Sequence, residues 1–141
     1  MNVRQILEEK GREVATFGPD ATMNEAARHL AEKGIGALVV MAGDAIAGIL
    51  SERDAVRAIA SLGASALERP LSDFMTSDVK SCNEESTVEE VMDLMTDGRF
   101  RHLPVVEDGK MVGIISIGDV VKRRIREAQQ EADSLKQYIA S

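Results

Sequence analysis

The sequence predicts an α/β (α+β) fold built from two tandem strand–helix–strand–strand–helix repeats, and three observations carry that prediction. Gly48-Ile49-Leu50-Ser51-Glu52-Arg53-Asp54 recurs as Gly113-Ile114-Ile115-Ser116-Ile117-Gly118-Asp119, 65 positions later. Adding 65 to every number from Val14 to Ala60 gives ten identities without a gap: Val14/Val79, Thr22/Thr87, Glu25/Glu90, Leu38/Leu103, Val40/Val105, Gly48/Gly113, Ile49/Ile114, Ser51/Ser116, Asp54/Asp119 and Val56/Val121. Helix caps, turns and apolar faces fall at matching places in both copies, which is the mark of a duplicated unit. One unit of roughly 50 residues buries little surface by itself. Two copies related by a pseudo-twofold, sheets packed together and flanked by N- and C-terminal helices, can share a core. The expected domains are residues 1–66, with the N-terminal helix, and 67–141, with an extended C-terminal helix.

Each element has a local reason. Val3, Ile6 and Leu7 stand at i, i+3 and i+4, the stripe of a short helix that Lys10-Gly11 ends. Val14–Phe17 is a strand and Gly18-Pro19-Asp20 a turn. Thr22-Met23-Asn24-Glu25 is a capping box opening a helix whose inner face is Met23, Ala26, Ala27 and Leu30, ending near Gly34. The unbroken apolar run Ala37–Met41 is a buried strand, Gly43-Asp44 the hairpin turn and Ile46–Leu50 the returning strand; Ser51 then opens a helix carrying Val56 and Ile59. In the second copy Thr87-Val88-Glu89-Glu90 is the box, Val88, Val91, Met92 and Met95 the inner face, and Asp108-Gly109 the turn. Leu71-Ser72-Asp73-Phe74-Met75-Thr76 repeats the pattern of Val3–Leu7, so each repeat is expected to have its own short lead-in helix. Val121, Ile125, Ala128, Ala132, Leu135 and Ile139 form a thin heptad seam. That seam can pack on the N-terminal helix of the same chain or on a partner chain, with Tyr138 beside the contact.

Composition narrows the function classes. A net charge of −7 argues against a general nucleic-acid or anionic-membrane binder, because both attract excess Lys and Arg. No apolar run approaches the ~18–20 residues of a membrane span. Cys82 is the single cysteine, so no internal disulfide can form; this fits a reducing compartment, the cytoplasm by default. It reads as a small buried hydrophobe rather than a reactive thiol. His29 reads as a partly exposed helix residue. No His/Cys/Asp cluster has metal spacing, and no serine has the base and orienting partner of a nucleophile.

Ser-x-x-Asp at a helix start is in itself a capping pattern. Here it follows a buried strand, so the helix N-terminus points free N–H groups and a positive dipole end at whatever lies there. Asp stands at the third position in both copies, where a pure capping box favours Glu or Gln, and a short carboxylate could accept both hydroxyls of a ribose. In the second copy Arg99-Phe100-Arg101-His102 adds cationic side chains suited to phosphate. Lys122-Arg123-Arg124-Ile125-Arg126 reads as a solvated helix face, with phosphate binding at a dimer seam as the alternative.

Gly48–Asp54, Gly113–Asp119, the Arg101-His102-Leu103-Pro104-Val105-Val106 strand and Leu71–Thr76 together resemble a tandem pair of cystathionine-β-synthase (CBS) domains, a Bateman module of the small stand-alone bacterial type. The resemblance covers nearly the whole chain. It implies a regulatory module that binds an adenine nucleotide (AMP, ADP, ATP, NAD or S-adenosylmethionine) between its repeats, commonly as a homodimer, and signals through a separate effector protein. It implies no enzyme activity and no catalytic cofactor. The alternatives are a structural dimerisation adaptor, in which both devices act only as caps, and a nucleotide-modifying enzyme, for which no acid–base pair or metal cage is present.

Carried over to this chain, the resemblance implies that Asp119 holds the ribose hydroxyls and that Ser116 and the N–H groups of Ile117 and Gly118 face the phosphate. Arg101 and His102 would complete the phosphate site. Ser77, Asp78 and Val79 would wall the adenine, with Phe100 and Pro104 nearby. The first-repeat site would use Ser51, Arg53 and Asp54 over Arg12, Glu13 and Val14. There Ile35-Gly36-Ala37 replaces Phe100-Arg101-His102, so the cationic wall is lost and Arg53 compensates in part. Two unequal sites are expected, the second favouring a phosphate-rich ligand.

Overall fold

The structure is a computed structural model and describes residues 1–140. In chain order the elements are α1 (Val3–Lys10), β1 (Thr16–Phe17), α2 (Met23–Lys33), β2 (Ala37–Ala42), β3 (Ala45–Ser51), α3 (Glu52–Leu62), α4 (Val88–Gly98), β4 (His102–Glu107), β5 (Lys110–Ser116) and α5 (Ile117–Ala140); Gly63–Glu68 and Leu71–Asp73 are 3-10 turns. This is the mixed α/β arrangement expected; the first repeat has the full strand–helix–strand–strand–helix order, and the second has helix–strand–strand–helix. Ser141, at the end of the expected second domain, lies outside the described residues.

The chain packs into two compact units. One comprises Glu13–Lys80 with the hairpin tip Asp108–Met111. Its three-stranded sheet has β1 parallel to β2 and β2 antiparallel to β3, with Ala37 opposite Ser51 and an irregularity between Val40 and Met41. The Thr22 hydroxyl accepts the Glu25 N–H at 3.2 Å, and Gly34, at φ 64°, ends α2 in the left-handed conformation that glycine adopts without penalty. Met23, Ala26 and Leu30 of α2 share one core with Leu38, Val40 and Leu50 of the sheet and Ala55 and Ala58 of α3. The inner face of α3 is made of small residues. Small Ala55 and Ala58 are buried, while Val56 and Ile59 are 66% and 43% exposed.

The other unit comprises Met1–Arg12, Ser81–Glu107 and the chain from Val112 onward. Its sheet is the β4–β5 hairpin, whose turn has positive φ at both Asp108 (51°) and Gly109 (76°), the conformation that matches strand twist. The strand expected at Val79 is reduced to a single parallel bridge, Cys82 to Val105, the counterpart of Phe17 opposite Val40 in the first repeat. Val88, Val91 and Met95 of α4 pack with Leu103, Val105, Ile115 and Val120. Arg99 ends α4 at φ 57°, where the first repeat has Gly34.

The lead-in segments do not pack where the sequence pattern places them. Val3, Ile6 and Leu7 of α1 belong to the core of the second repeat. The Val3 and Arg4 N–H groups donate to the Ser86 and Glu84 carbonyls, both at 2.9 Å. Leu71, Phe74 and Met75 join the core of the first repeat, where the Leu71 N–H donates to the Ala21 carbonyl at 2.8 Å. Each lead-in therefore serves the other repeat. Two glycines seat the crossing segments. A Cβ on Gly113 would sit 2.7 Å from a Leu7 methyl, and one on Gly48 would sit 2.7 Å from the Met75 sulfur, so each glycine makes the seat for the segment that crosses to it.

Candidate functional site

At the second Ser-x-x-Asp device, β5 ends in Ser116 and α5 begins. The Ser116 N–H donates to Asp119 Oδ2 at 2.8 Å, and the Asp119 N–H donates to Ser116 Oγ at 3.2 Å. The first device matches it. The Ser51 N–H and hydroxyl donate to Asp54 Oδ2 at 2.9 and 3.1 Å, and the Asp54 N–H donates to Ser51 Oγ at 3.3 Å. Asp thus closes both boxes reciprocally. At Thr22 and Thr87 only the threonine half of the box forms, although Glu stands at the third position. Asp in place of Glu is therefore explained by capping alone, and it does not by itself point to a ligand.

The first helical N–H of each device is also engaged. Ile117 N–H donates to the Arg101 carbonyl at 2.8 Å, and Glu52 N–H donates to the Gly36 carbonyl at 2.9 Å. The expectation that the Ile117 N–H faces a phosphate is corrected accordingly: it is committed to the strand beside it.

The devices differ in one residue that the sequence pattern does not single out. Lys10 Nζ donates to Asp119 Oδ2 at 2.7 Å and to the Ile114 carbonyl at 3.0 Å. In the first repeat the corresponding carbonyl, that of Ile49, accepts a backbone N–H from Thr76 at 2.9 Å. The difference follows from chain length. Val14 follows Leu7 by seven positions, whereas Val79 follows Met75 by four, so the first lead-in has about one extra helical turn, and Lys10 is on it. Asp54 has no cation within ion-pair distance among the described residues. Burial alone would raise the Asp119 carboxyl, but the bonds from Lys10 and Ser116, with the charge of Lys10, outweigh it and hold Asp119 below its ordinary value. The bonds it accepts from Ser116 and Lys10 all fall on Oδ2.

Asp119 opens onto a cleft of about 420 Å³ in the second-repeat unit, lined by Ile6, Glu9, Lys10, Asp119, Lys122, Arg123 and Arg126. Glu9 bridges two arginines, with Arg123 at 2.6 Å and Arg126 at 2.9 Å. The basic run read as a solvated face thus contributes three side chains to a concave site.

The other expected site residues are spread more widely. Arg101 is exposed and His102 half-buried at the start of β4, next in sequence to the half-buried Phe100 that packs on the second-repeat core. Pro104 is buried within β4, its carbonyl accepting the Cys82 N–H at 3.0 Å. Gly118 is exposed in the first turn of α5. Ser77 and Asp78 are exposed and Val79 half-buried, all in the first-repeat unit. In that unit Glu13 and Arg53 are exposed, Val14, Ile35 and Gly36 half-buried, and Ala37 buried as the start of β2. Arg12 belongs instead to the second-repeat unit, paired with Glu84.

Two further expectations concern core residues. Cys82 is buried and its thiol is pushed up to about 12 by desolvation, which makes it inert packing. His29 stands edge-on to Phe17, ring centroids 5.3 Å apart, on a half-buried helix face. No group of three or more His, Cys, Asp or Glu side chains among the described residues could hold a metal ion. No described helix is long and apolar enough to cross a membrane.

The duplicated helix–strand–strand–helix unit with its Ser-x-x-Asp helix start defines a class of paired α/β repeats. The CBS domain family matches residues 3–61 and 71–126, and the chain belongs to that family. It is similar to the CBS-domain containing protein ATU1752 from Agrobacterium tumefaciens, whose crystal structure superposes with a TM-score of 0.86 at 48% identity, covering 88% of this chain and 99% of that one. It is 39% identical over 125 residues to the mitochondrial CBS domain-containing protein CBSX3 of Arabidopsis thaliana, covering 85% of this chain. The crystal structure of CBSX2 in complex with AMP shares the fold with a TM-score of 0.73 at 23% identity, covering 90% of this chain and 98% of that one. The chain spans 61% and 63% of the length of the first two curated relatives it matches.

Proposed function

We propose that this CBS pair is a regulatory sensor that binds an adenine nucleotide (AMP, ATP or NAD) at the second-repeat device and passes the occupancy to a partner protein. The observation that carries the reading is Asp119. Its carboxylate is held ionised and half-buried at a helix start, oriented through Oδ2 by Ser116 and Lys10, among four cationic side chains. A carboxylate fixed in this way is suited to accept ribose hydroxyls. Arg101 and His102 supply phosphate contacts. The CBSX2 complex supports the ligand class, since a protein of this fold is seen with AMP. The first device lacks the cation at Asp54 and faces Gly36 and Ala37 in sequence, so it binds more weakly or prefers a less charged ligand. The reading involves no chemical step: the chain is a binder.

A homodimer is part of the proposal. Val56 on α3 and its repeat counterpart Val121 on α5 are both exposed, with Ile59, Leu62 and Ile125 near them in sequence. These apolar side chains suit a self-complementary contact.

Thermal denaturation of ligand-stripped protein with AMP, ATP and NAD tests the site. A ligand at about 100 times its dissociation constant stabilises by about 2.7 kcal/mol. Asp119→Ala should abolish that gain and Asp54→Ala should leave most of it. An unchanged adenylate shift in Asp119→Ala would disprove the assignment.

A further inference from the structure

We propose that the cleft between α1 and α5 is a binding site for a phosphoryl anion, built by Lys10, Lys122, Arg123 and Arg126. The first ground is charge. Four cationic side chains line the cleft against two carboxylates, Glu9 and Asp119, in a chain whose net charge is −7. Lys10 is matched to Asp119, and both arginines share the one carboxylate of Glu9. Lys122 makes no ion pair among the described residues. The surplus is two positive charges, which fits a dianion. An ion-pair network that served only to pin α1 on α5 would balance with one arginine per glutamate.

The second ground is independent of the count. Arg123 has a side chain only 12% exposed, and its Nε is buried without an acceptor. One of its terminal nitrogens faces Glu9; the other faces the Met1 sulfur at 2.8 Å, a weak acceptor. A guanidinium fork whose donors are this poorly matched is suited to phosphate oxygens, which accept in pairs. The third ground is place. Glu9 and Lys10 stand on the extra turn of α1, which the first repeat lacks, and the other cations stand on the first three turns of α5. Both walls are helical, so the cations are held on rigid elements, and the concavity concentrates their field. A cleft of about 420 Å³ is within the size range of small-ligand sites. The site uses neither Arg101 nor His102.

The phosphoryl group can be that of a nucleotide whose ribose lies on Asp119, which rests on the sensor reading above but moves the phosphate from Arg101 and His102 to this cleft, or free phosphate. Titration calorimetry on the full chain with pyrophosphate, AMP and adenosine separates these sources. The variant is Lys122→Met/Arg126→Gln, both exposed positions whose loss leaves the core intact; Lys136→Ala, on α5 outside the cleft, is the control. Urea denaturation confirms that each is folded. The expected result is pyrophosphate binding that weakens at least tenfold in the double variant, is unchanged in Lys136→Ala and falls as salt rises. If the preference for AMP over adenosine collapses in the same variant, the phosphate is the nucleotide's. If that preference survives while pyrophosphate binding is lost, the site takes free phosphate, and the nucleotide reading stands apart from it. Absence of pyrophosphate binding, or equal binding in the double variant, would overturn the proposal.

Discussion

Gly113→Ala tests the seat on which α1 rests. The new Cβ would lie 2.7 and 3.0 Å from the two Leu7 methyls, and Leu7 is 1% exposed, so it has nowhere to turn. Overpacking of this kind costs about 1–3 kcal/mol. Leu7→Ala alone leaves a cavity and costs about 2–5 kcal/mol. In the double variant the methyl added at position 113 occupies part of the space that Leu7 vacates. Its destabilisation should therefore fall short of the sum by about 0.5–3 kcal/mol, the range found for residues in contact. Urea denaturation of the four proteins gives the cycle. Gly48→Ala provides the contrast: its Cβ would meet the Met75 side chain and also the Thr76 carbonyl at 2.9 Å. That carbonyl accepts the Ile49 N–H at 3.0 Å, so Met75→Ala relieves only part of the clash. Additivity of Gly113→Ala and Leu7→Ala within about 0.5 kcal/mol would refute the packing of α1 on the second repeat.

Two further outcomes follow from single contacts. Arg99 stands in the left-handed region at φ 57°, where the first repeat has Gly34, so Arg99→Gly should gain about 1 kcal/mol, read by urea denaturation; a loss would contradict the strain argument. The second concerns pH. The Asp119 carboxyl titrates lower in the folded protein than in the unfolded chain, so its stabilisation is present above about pH 4 and is lost as pH falls through the folded value. In Lys10→Met burial remains while the ammonium is gone, so the variant should be less stable at pH 7 and the gap to the parent should close below about pH 4. A gap that stays constant down to about pH 2.5 would show that Lys10 acts without Asp119.

The elements legible in the sequence are those set by neighbours along the chain. Thr22, Thr87, Ser51 and Ser116 cap the helices that follow them because a side-chain oxygen reaches an N–H three residues on. The hairpins at Gly43 and at Asp108-Gly109 form where positive φ is available. What escapes is long-range. An apolar i, i+3, i+4 stripe such as Val3, Ile6 and Leu7 fits either repeat equally well, and both repeats carry a glycine notch, Gly48 and Gly113, so the crossing is not written locally. That α3 buries Ala55 and Ala58 and leaves Val56 and Ile59 exposed is likewise not written in its own stretch of sequence. Lys10 reads as no more than the end of a helix. The available signal is the three-residue excess between Leu7 and Val14 over Met75 and Val79, which an ungapped comparison beginning at Val14 does not reach.

The crossing of the two lead-in segments has a consequence for how the chain is made. α1 leaves the ribosome ahead of both repeats, yet the surface it completes, Ser81–Glu107 and Val112 onward, is synthesised after the first repeat. The first-repeat unit can close as soon as Lys80 emerges, apart from the hairpin tip, while α1 waits in solution with Val3, Ile6 and Leu7 uncovered. A chain severed between residues 66 and 67 would leave Leu71, Phe74 and Met75 on one fragment and their core on the other, and would strand α1 in the same way. Separating the two units therefore takes two cuts, near Arg12–Glu13 and near Lys80–Ser81, rather than one between the repeats.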